Sequence, residues 1–530
     1  MDQHSSKLFI MLSFNEIHPV MLGLQCCFWP STVPDSRVDL ALECVLLPNV
    51  ALSPEQLCPF EVVKMHKLVA VVAYLAIGAL GAPAADEITH LPGLNHIIPF
   101  RHYSGYLSGA EGKNLHYWFV ESSRSPADDP LVLWMNGGPG CSSMEGLLAE
   151  LGPYRVNPDG KTLKKNIYAW NTMANVLFLE APACVGYSYD SNGDCSTGDN
   201  ETSLSNYLAL KDFFTTKFPE YRKNEFYITG ESYAGVYVPT LAVRVLEGQE
   251  DFNINLQGYA IGNGLSSYKL NDDSIIFFAY FHGLFGEDLW VRLVTHCCEG
   301  GRVSKDGCNF YQTHWPLCSK AVNKASDIIY NEGLNMYNLY DNCPTATGGN
   351  FSRYEADLSN ILRRHKYHSK MLLQTKKRLS TFTLDPPCTN GTNLLMYMNN
   401  PEVRKAIHIP ESVQKFELCS DEVNANYKRE YDTMKPQYEY LTTRVRGLVY
   451  NGDIDMACNF LGDEWFVESL GLKVLEQRKM WHQGGQVGGF VKRFQNLDLL
   501  TIRGAGHMVP EDKPAPALKM ITSFLFKKPY

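Results

Sequence analysis

The 530-residue chain lacks any apolar run long enough to span a bilayer. Its one strongly apolar stretch, Leu68–Leu80 (LVAVVAYLAIGAL), has 13 residues, where a spanning helix needs about 20. It also lacks a basic excess: 48 Lys+Arg against 57 Asp+Glu give a net charge of −9. There is thus no cationic face to displace counterions from phosphates, and neither nucleic acid nor a membrane is expected as a partner. No internal repeat is visible. With 20% charged, 45% hydrophobic and 12% aromatic residues, the composition excludes a disordered tail or a coiled coil and fits a globular chain with a sizeable core. What the chain does not lack is cysteine. Fifteen exceed the usage of an ordinary cytosolic enzyme and indicate an oxidising compartment, and the odd total leaves at least one thiol unpaired if the rest bridge.

The apolar stretch follows Lys64, His66 and Lys67 and runs into Gly81, Ala82, Pro83, Ala84 and Ala85. A positive end, a short apolar middle and a small-residue exit describe a secretory signal peptide, assigned to residues 65–84. Met65 is accordingly read as the physiological start. Residues 1–64 are expected to be an upstream extension, poorly ordered and without function. Secretion makes Asn200 (N-E-T), Asn350 (N-F-S) and Asn390 (N-G-T) glycan acceptors on the surface.

From residue 85 the chain alternates apolar runs with helical patterns. Leu131–Met135 ends in Asn136-Gly137-Gly138-Pro139-Gly140, Val176–Leu179 ends at Glu180-Ala181-Pro182, and Glu225–Thr229 ends at Gly230. Similar runs occupy Gly258–Ile261, Gly447–Tyr450 and Leu499–Ile502, and Ser203–Phe218 reads as a helix. Such alternation predicts an α/β fold with a mostly parallel central sheet. Its core is expected over 85–264 and 391–530. Residues 265–390 break the rhythm with six cysteines and a glycine-rich stretch followed by basic clusters. They are expected to form an inserted lid with a protease-accessible loop at about 345–385.

The chemistry concentrates in three loops. Gly230-Glu231-Ser232-Tyr233-Ala234-Gly235 follows a strand and opens a helix. A nucleophilic serine on such an elbow needs small residues two before and two after it, as Gly230 and Ala234 provide. A serine needs a base, and the base an orienting acid. Asp455 and the competing Asp453, in Asn451-Gly452-Asp453-Ile454-Asp455, and then His507, in Gly504-Ala505-Gly506-His507, follow strands in the order Ser, Asp, His. That is the chain order of α/β-hydrolases. The oxyanion of the tetrahedral intermediate needs two backbone N–H donors, expected from Tyr233 and from the glycine turn, with Gly138 foremost.

At WMNGGPGCSS (134–143), GESYAG (230–235), NGDIDMACN (451–459) and GAGHMVP (504–510) the chain resembles the serine carboxypeptidases, the S10 peptidases. The resemblance runs from about residue 88 onward. It implies an α/β-hydrolase fold with a disulfide-bonded lid, and removal of single C-terminal residues with Ser232 as nucleophile, His507 as acid–base and Asp455 as orienting acid. It implies that Asn136, Gly137, Glu150 and Glu231 hold the substrate's terminal carboxylate. Two neighbouring carboxyls retain a shared proton to a higher pH than isolated glutamates, and a protonated carboxyl can donate to a carboxylate. Peptidase activity is therefore expected to be greatest at acidic pH, with ester and amide substrates tolerating higher pH. Read without the resemblance, Glu150 is an ordinary charge on a helix surface.

The resemblance further implies disulfides Cys141–Cys419, Cys297–Cys318, Cys298–Cys308 and Cys343–Cys388, with Cys458 free. His296, Cys297, Cys298, Cys308, His314 and Cys318 could also be read as a zinc cluster, but oxidation during secretion argues against one. No metal or cofactor is expected. Cys184 departs from the family pattern, which carries glycine there. It adds a Cβ where φ can be positive, and it could bridge to Cys195 or remain a thiol. The resemblance also implies a lysosomal enzyme acting on peptides with hydrophobic termini, as a homodimer associated with β-galactosidase and neuraminidase, which it would protect. A mainly non-catalytic scaffold and an acyltransferase are the alternatives.

Overall fold

The computed structural model describes residues 83–343 and 388–530, together with the backbone of three strands near the start of the chain. Those strands, Ser6–Ile10, Leu22–Phe28 and Leu42–Pro48, pair antiparallel in a small sheet of their own, where the sequence led us to expect no regular structure. The signal segment and the loop at 345–385 lie outside the described residues, as does Asn350.

The main body is built on one sheet of eleven strands. In chain order they are β1 (His102–Ser108), β2 (Lys113–Val120), β3 (Leu131–Met135), β4 (Asn175–Leu179), β5 (Tyr189–Asp190), β6 (Phe226–Ser232), β7 (Leu256–Gly264), β8 (Arg446–Gly452), β9 (Val474–Gln483), β10 (Gln486–Phe494) and β11 (Leu497–Ile502). Spatially they run β5-β2-β4-β3-β6-β7-β8-β11-β10-β9, with β1 also paired to β2. The six central strands, β4 to β11 in that order, are parallel. The flanking pairs are antiparallel. Every residue of β3 and β4 is buried, which is why these strands read as uninterrupted apolar runs. Edge strand β9 and its neighbour β10 leave much of their length exposed and carry no such signature.

Helices cover both faces of the sheet, giving two large apolar clusters. Trp118, Trp134 and Trp170 are at most 1% exposed, and burial of side chains this large is among the largest single contributions to a core. A third cluster belongs to the insertion between β7 and β8. There helices Tyr268–Phe281, Glu287–Cys297 and Pro316–Asn331 stack aromatics on one another, as in the parallel Tyr280 and Trp290 rings at 4.3 Å. Disulfides Cys297–Cys318 and Cys298–Cys308 close this lid, Cys343–Cys388 spans its far end, and Cys141–Cys419 joins β3's exit turn to the chain after the insertion. Cys184 is bonded to Cys195, and Cys458 is a buried free thiol. Cys184 does sit at positive φ, 70°, a conformation that glycine adopts without the Cβ crowding cysteine meets.

Parallel strands place all their carboxyl ends along one edge of the sheet, where ligands of such folds bind. Asn136 follows β3, Ser232 ends β6, Asn263 is the penultimate residue of β7, and Asp455 and His507 follow β8 and β11.

Candidate active site

The strand leading to the serine extends two residues beyond the expected Gly230. Its pairing with β7 slips between Glu231 and Ser232, and Ser232 itself adopts φ 64°. A left-handed conformation is costly for a residue with a Cβ, and such strain concentrates at functional sites. Helix Ala234–Glu247 begins two residues later. The demand for small residues around the elbow is literal here: a Cβ on Gly230 would lie 2.4 Å from the Met135 carbonyl and 2.6 Å from the Ala234 Cβ.

Neighbouring parallel strands β8 and β11 deliver the acid and the base to one place. His507 Nδ1 lies 2.7 Å from Asp455 Oδ2, and both residues are nearly or fully buried. Asp455 also accepts hydrogen bonds from the Ala457 and Cys458 amides at 2.8 and 3.1 Å and from Asn263 Nδ2 at 2.9 Å. Asn263 in turn accepts from the Gly452 amide at 2.9 Å, fastening the acid to β7 as well as β8. The rival acid is engaged elsewhere, since Asp453 Oδ1 accepts from the Gly504 amide at 2.6 Å. The His507 amide donates to the Tyr337 carbonyl at 2.7 Å, and the two ring centroids sit 4.8 Å apart. The insertion thus touches His507 directly.

The glycine turn after β3 presses against the elbow. A Cβ on Gly137 would fall 2.3 Å from the Tyr233 amide nitrogen and 2.8 Å from the Ser232 Cβ. Gly138, at φ 112°, is exposed, and Ser232 is partly so; the surface between the two stretches is open to a ligand. The Tyr233 hydroxyl donates to the buried Asp199 carboxylate at 2.8 Å, which holds the residue whose amide follows the serine.

Beside this turn, Asn136 Nδ2 lies 3.1 Å from Glu150 Oε1 and 3.0 Å from Glu231 Oε1. Its Oδ1 accepts from Trp134 Nε1 at 2.7 Å and from the Gly146 amide at 3.2 Å, which fixes the amide's orientation. Glu150 is wholly buried at the end of a one-turn π-helix, Gly146–Glu150, so the surface-helix reading is corrected. Burial pushes the Glu150 carboxyl up to about 7. Burial first, then repulsion from Glu150, Glu145 and Glu511, holds Glu231 well above the usual carboxylate range. Neutral carboxyls are the favoured form of this pair below neutrality. Glu150 and Glu231 also lie close enough for a hydrogen bond between their carboxyls, which requires one of them to be protonated.

Asn263 and the Asn136–Trp134 contact were invisible in the sequence. No period marks a single buried polar residue, although Asn263 stands at the end of a strand, in Gly262-Asn263-Gly264. Among the described residues, no cluster of three or more His, Cys, Asp or Glu side chains is arranged to hold a metal. The four lid thiols that could have served are joined in disulfides.

A strained serine at a strand–helix elbow, with an Asp–His pair delivered by later strands of the same parallel sheet, defines the serine-hydrolase class of α/β folds. The profile of the serine carboxypeptidases matches residues 92–527. The mouse lysosomal protective protein is 50% identical over 461 residues, covering 85% of this chain and 95% of that protein. The Caenorhabditis elegans serine carboxypeptidase ctsa-4.1 is 45% identical over 462 residues, covering 85% of this chain and 95% of that protein. The crystal structure of the Saccharomyces cerevisiae prohormone-processing carboxypeptidase Kex1 superposes with a TM-score of 0.64 at 21% identity, covering 84% of this chain and 97% of that one. The chain belongs to the serine carboxypeptidase family, and it is a serine-type carboxypeptidase.

Proposed function

We propose that the protein releases C-terminal residues, preferably hydrophobic ones, from peptides at acidic pH through an acyl-enzyme on Ser232. The observation that carries this reading is the Asn136 amide linking two buried glutamates next to the serine elbow. A site for a terminal carboxylate distinguishes an exopeptidase from a general esterase.

In this reading Ser232 attacks the last peptide carbonyl while His507 takes its proton, and Asp455 holds the ring and stabilises the imidazolium. The amides of Gly138 and Tyr233 receive the oxyanion. His507 then protonates the departing amine, and water, activated by the same imidazole, releases the shortened peptide. Asn136, the Gly137 backbone and the protonated Glu150–Glu231 pair hold the terminal carboxylate. Ester or amide substrates without that carboxylate do not need the protonated pair, so esterase and deamidase activity persists toward neutral pH.

Similarity to the mouse lysosomal protective protein supports delivery to the lysosome by way of a signal peptide at 65–84. It also supports a homodimer that protects lysosomal enzymes, with β-galactosidase and neuraminidase as the partners proposed. No helix among the described residues is long and apolar enough to cross a membrane. Asn200 and Asn390 are exposed and are proposed glycan acceptors, together with Asn350. The loop at 345–385 is the proposed site of activating cleavage.

The test is release of successive C-terminal residues, followed by mass spectrometry, for the wild type and Ser232→Ala. The variant should lose hydrolysis by roughly 10⁶-fold and lose fluorophosphonate labelling, while keeping its association with the partner enzymes. Cleavage at internal bonds, or hydrolysis undiminished in Ser232→Ala, would reject the assignment.

A further inference from the structure

The glycine turn that faces Ser232 is clipped to the sheet by two consecutive serines. Ser143 Oγ donates to the Leu179 carbonyl at 2.7 Å. Ser142 Oγ donates to a carboxylate oxygen of Glu180 and accepts from the Met144 amide at 3.1 Å. Leu179 and Glu180 are the last residue of β4 and the one after it. Glu180 is wholly buried, as are Ser142, His116 and Ser104. Its other oxygen receives the Tyr187 amide at 2.8 Å and faces His116 Nδ1 at 2.8 Å.

The far side of the imidazole is equally committed. His116 Nε2 lies 2.9 Å from Ser104 Oγ, and that hydroxyl gives its single hydrogen to the Ile407 carbonyl at 2.8 Å. The ring is thus held from both sides, one nitrogen facing the Glu180 carboxylate and the other the Ser104 hydroxyl. A buried carboxylate is tolerated only when paired and fully hydrogen-bonded, and here each oxygen has partners. A hydroxyl donating to a carboxylate forms a stronger and more directional bond than one donating to a neutral acceptor.

This network touches no part of the cleft, yet it ends on the residue that leaves the turn. The Gly137–Cys141 turn is closed by the Cys141 amide donating to the Gly137 carbonyl at 3.0 Å, so a shift at Ser142 carries directly into the Gly138 amide. Besides the Asn136 amide, which donates to Ser143 Oγ at 3.1 Å, several restraints on the turn come from one segment. They are Cys141–Cys419, the Ser142 amide to the Leu418 carbonyl at 2.8 Å, the Ser420 amide to the Gly140 carbonyl at 2.8 Å and Asn424 to the Pro139 carbonyl at 3.0 Å. That segment holds the turn from the side, and β4's end holds it to the sheet that carries Ser232.

We propose that Glu180 is a positioning residue for the reaction: held by His116, it anchors Ser142 and thereby sets the Gly138 amide against the carbonyl that Ser232 attacks. The role rests on the hydrolase reading above. Because oxyanion stabilisation depends on preorganised donors, loosening the anchor at the turn's exit acts on the transition state more than on substrate binding, which Asn136 and Gly137 serve at its start.

Ser142→Ala, Glu180→Gln and Glu180→Ala in the full chain test this. Active sites are counted by saturating fluorophosphonate labelling, and kcat per labelled site, KM and affinity for a peptide aldehyde are measured. Ser142→Ala should lower kcat by about tenfold, less than the 10²–10³ loss of an oxyanion donor itself. KM should stay within about twofold, with a parallel loss of aldehyde affinity. Glu180→Gln, which still offers Ser142 an acceptor, should lose less than Glu180→Ala. Should Glu180→Ala fail to fold, Ser142→Ala decides alone. An unchanged kcat per labelled site with only a lower melting temperature, or a loss carried by KM, would overturn the inference. A wild-type protein that the fluorophosphonate does not label would instead reject the reading beneath it.

Discussion

Glu150 and Glu231 accept hydrogen bonds from the same nitrogen of Asn136, at 3.1 and 3.0 Å, although one ends a turn after β3 and the other sits inside β6. Both are buried and both are raised above ordinary glutamates, Glu150 to about 7. An acid with a raised pKa keeps its proton in the acidic range and loses it as pH climbs through the raised value. Peptide kcat/KM should therefore fall as pH passes about 7, mainly through a rising KM, while an ester lacking a free carboxylate keeps its activity there. Glu150→Gln, permanently neutral, should flatten the peptide's alkaline limb. Superimposable peptide and ester profiles on one preparation would exclude the shared-proton account.

The two acids after β8 have different occupations, and substitution should separate them. Asp455→Asn keeps the shape but loses the charge and the correct imidazole tautomer, so kcat should fall by about 10⁴. Asp453→Asn disturbs only a bond to the Gly504 amide and should cost less than about tenfold. Comparable losses in the two would mean that the acid has been misassigned.

Gly137→Ala introduces a methyl where the Tyr233 amide and the Ser232 Cβ now stand. The turn must retreat from the elbow, separating the two amides proposed to hold the oxyanion. A kcat loss of about 10²-fold or more is expected. Near-normal turnover would show that this turn does not contribute to transition-state binding.

The parts of the molecule that were legible in the sequence share a physical reason. Fully buried parallel strands must be apolar from end to end, and a sharp elbow demands small residues at fixed offsets, so β3, β4 and the Ser232 loop announce themselves. The order of Ser232, Asp455 and His507 added a second constraint. Glu150 was readable only through family resemblance, since its environment is made by Asn136 and Glu231 from other segments. Asn263, His116 and Glu180 left no trace, because a buried polar network is assembled from isolated positions on separate strands and has no period. Edge strand β9 and its neighbour β10 were missed because, largely exposed, they need not alternate cleanly.

Cleavage anywhere between Cys343 and Cys388 leaves the two products joined by two disulfides, Cys343–Cys388 and Cys141–Cys419. Limited proteolysis should give one band on a non-reducing gel and two after reduction. Two bands without reductant would show that neither bridge holds the cut protein together.

The parts of the site are spread so that the elbow and the glycine turn come early in the chain, while Cys419, Asp455 and His507 come late. During synthesis a partly made polypeptide carries a serine without its base and a turn without its covalent anchor. In the proposed mechanism, hydrolytic competence thus arrives only once His507 has been made, whatever the fate of the lid.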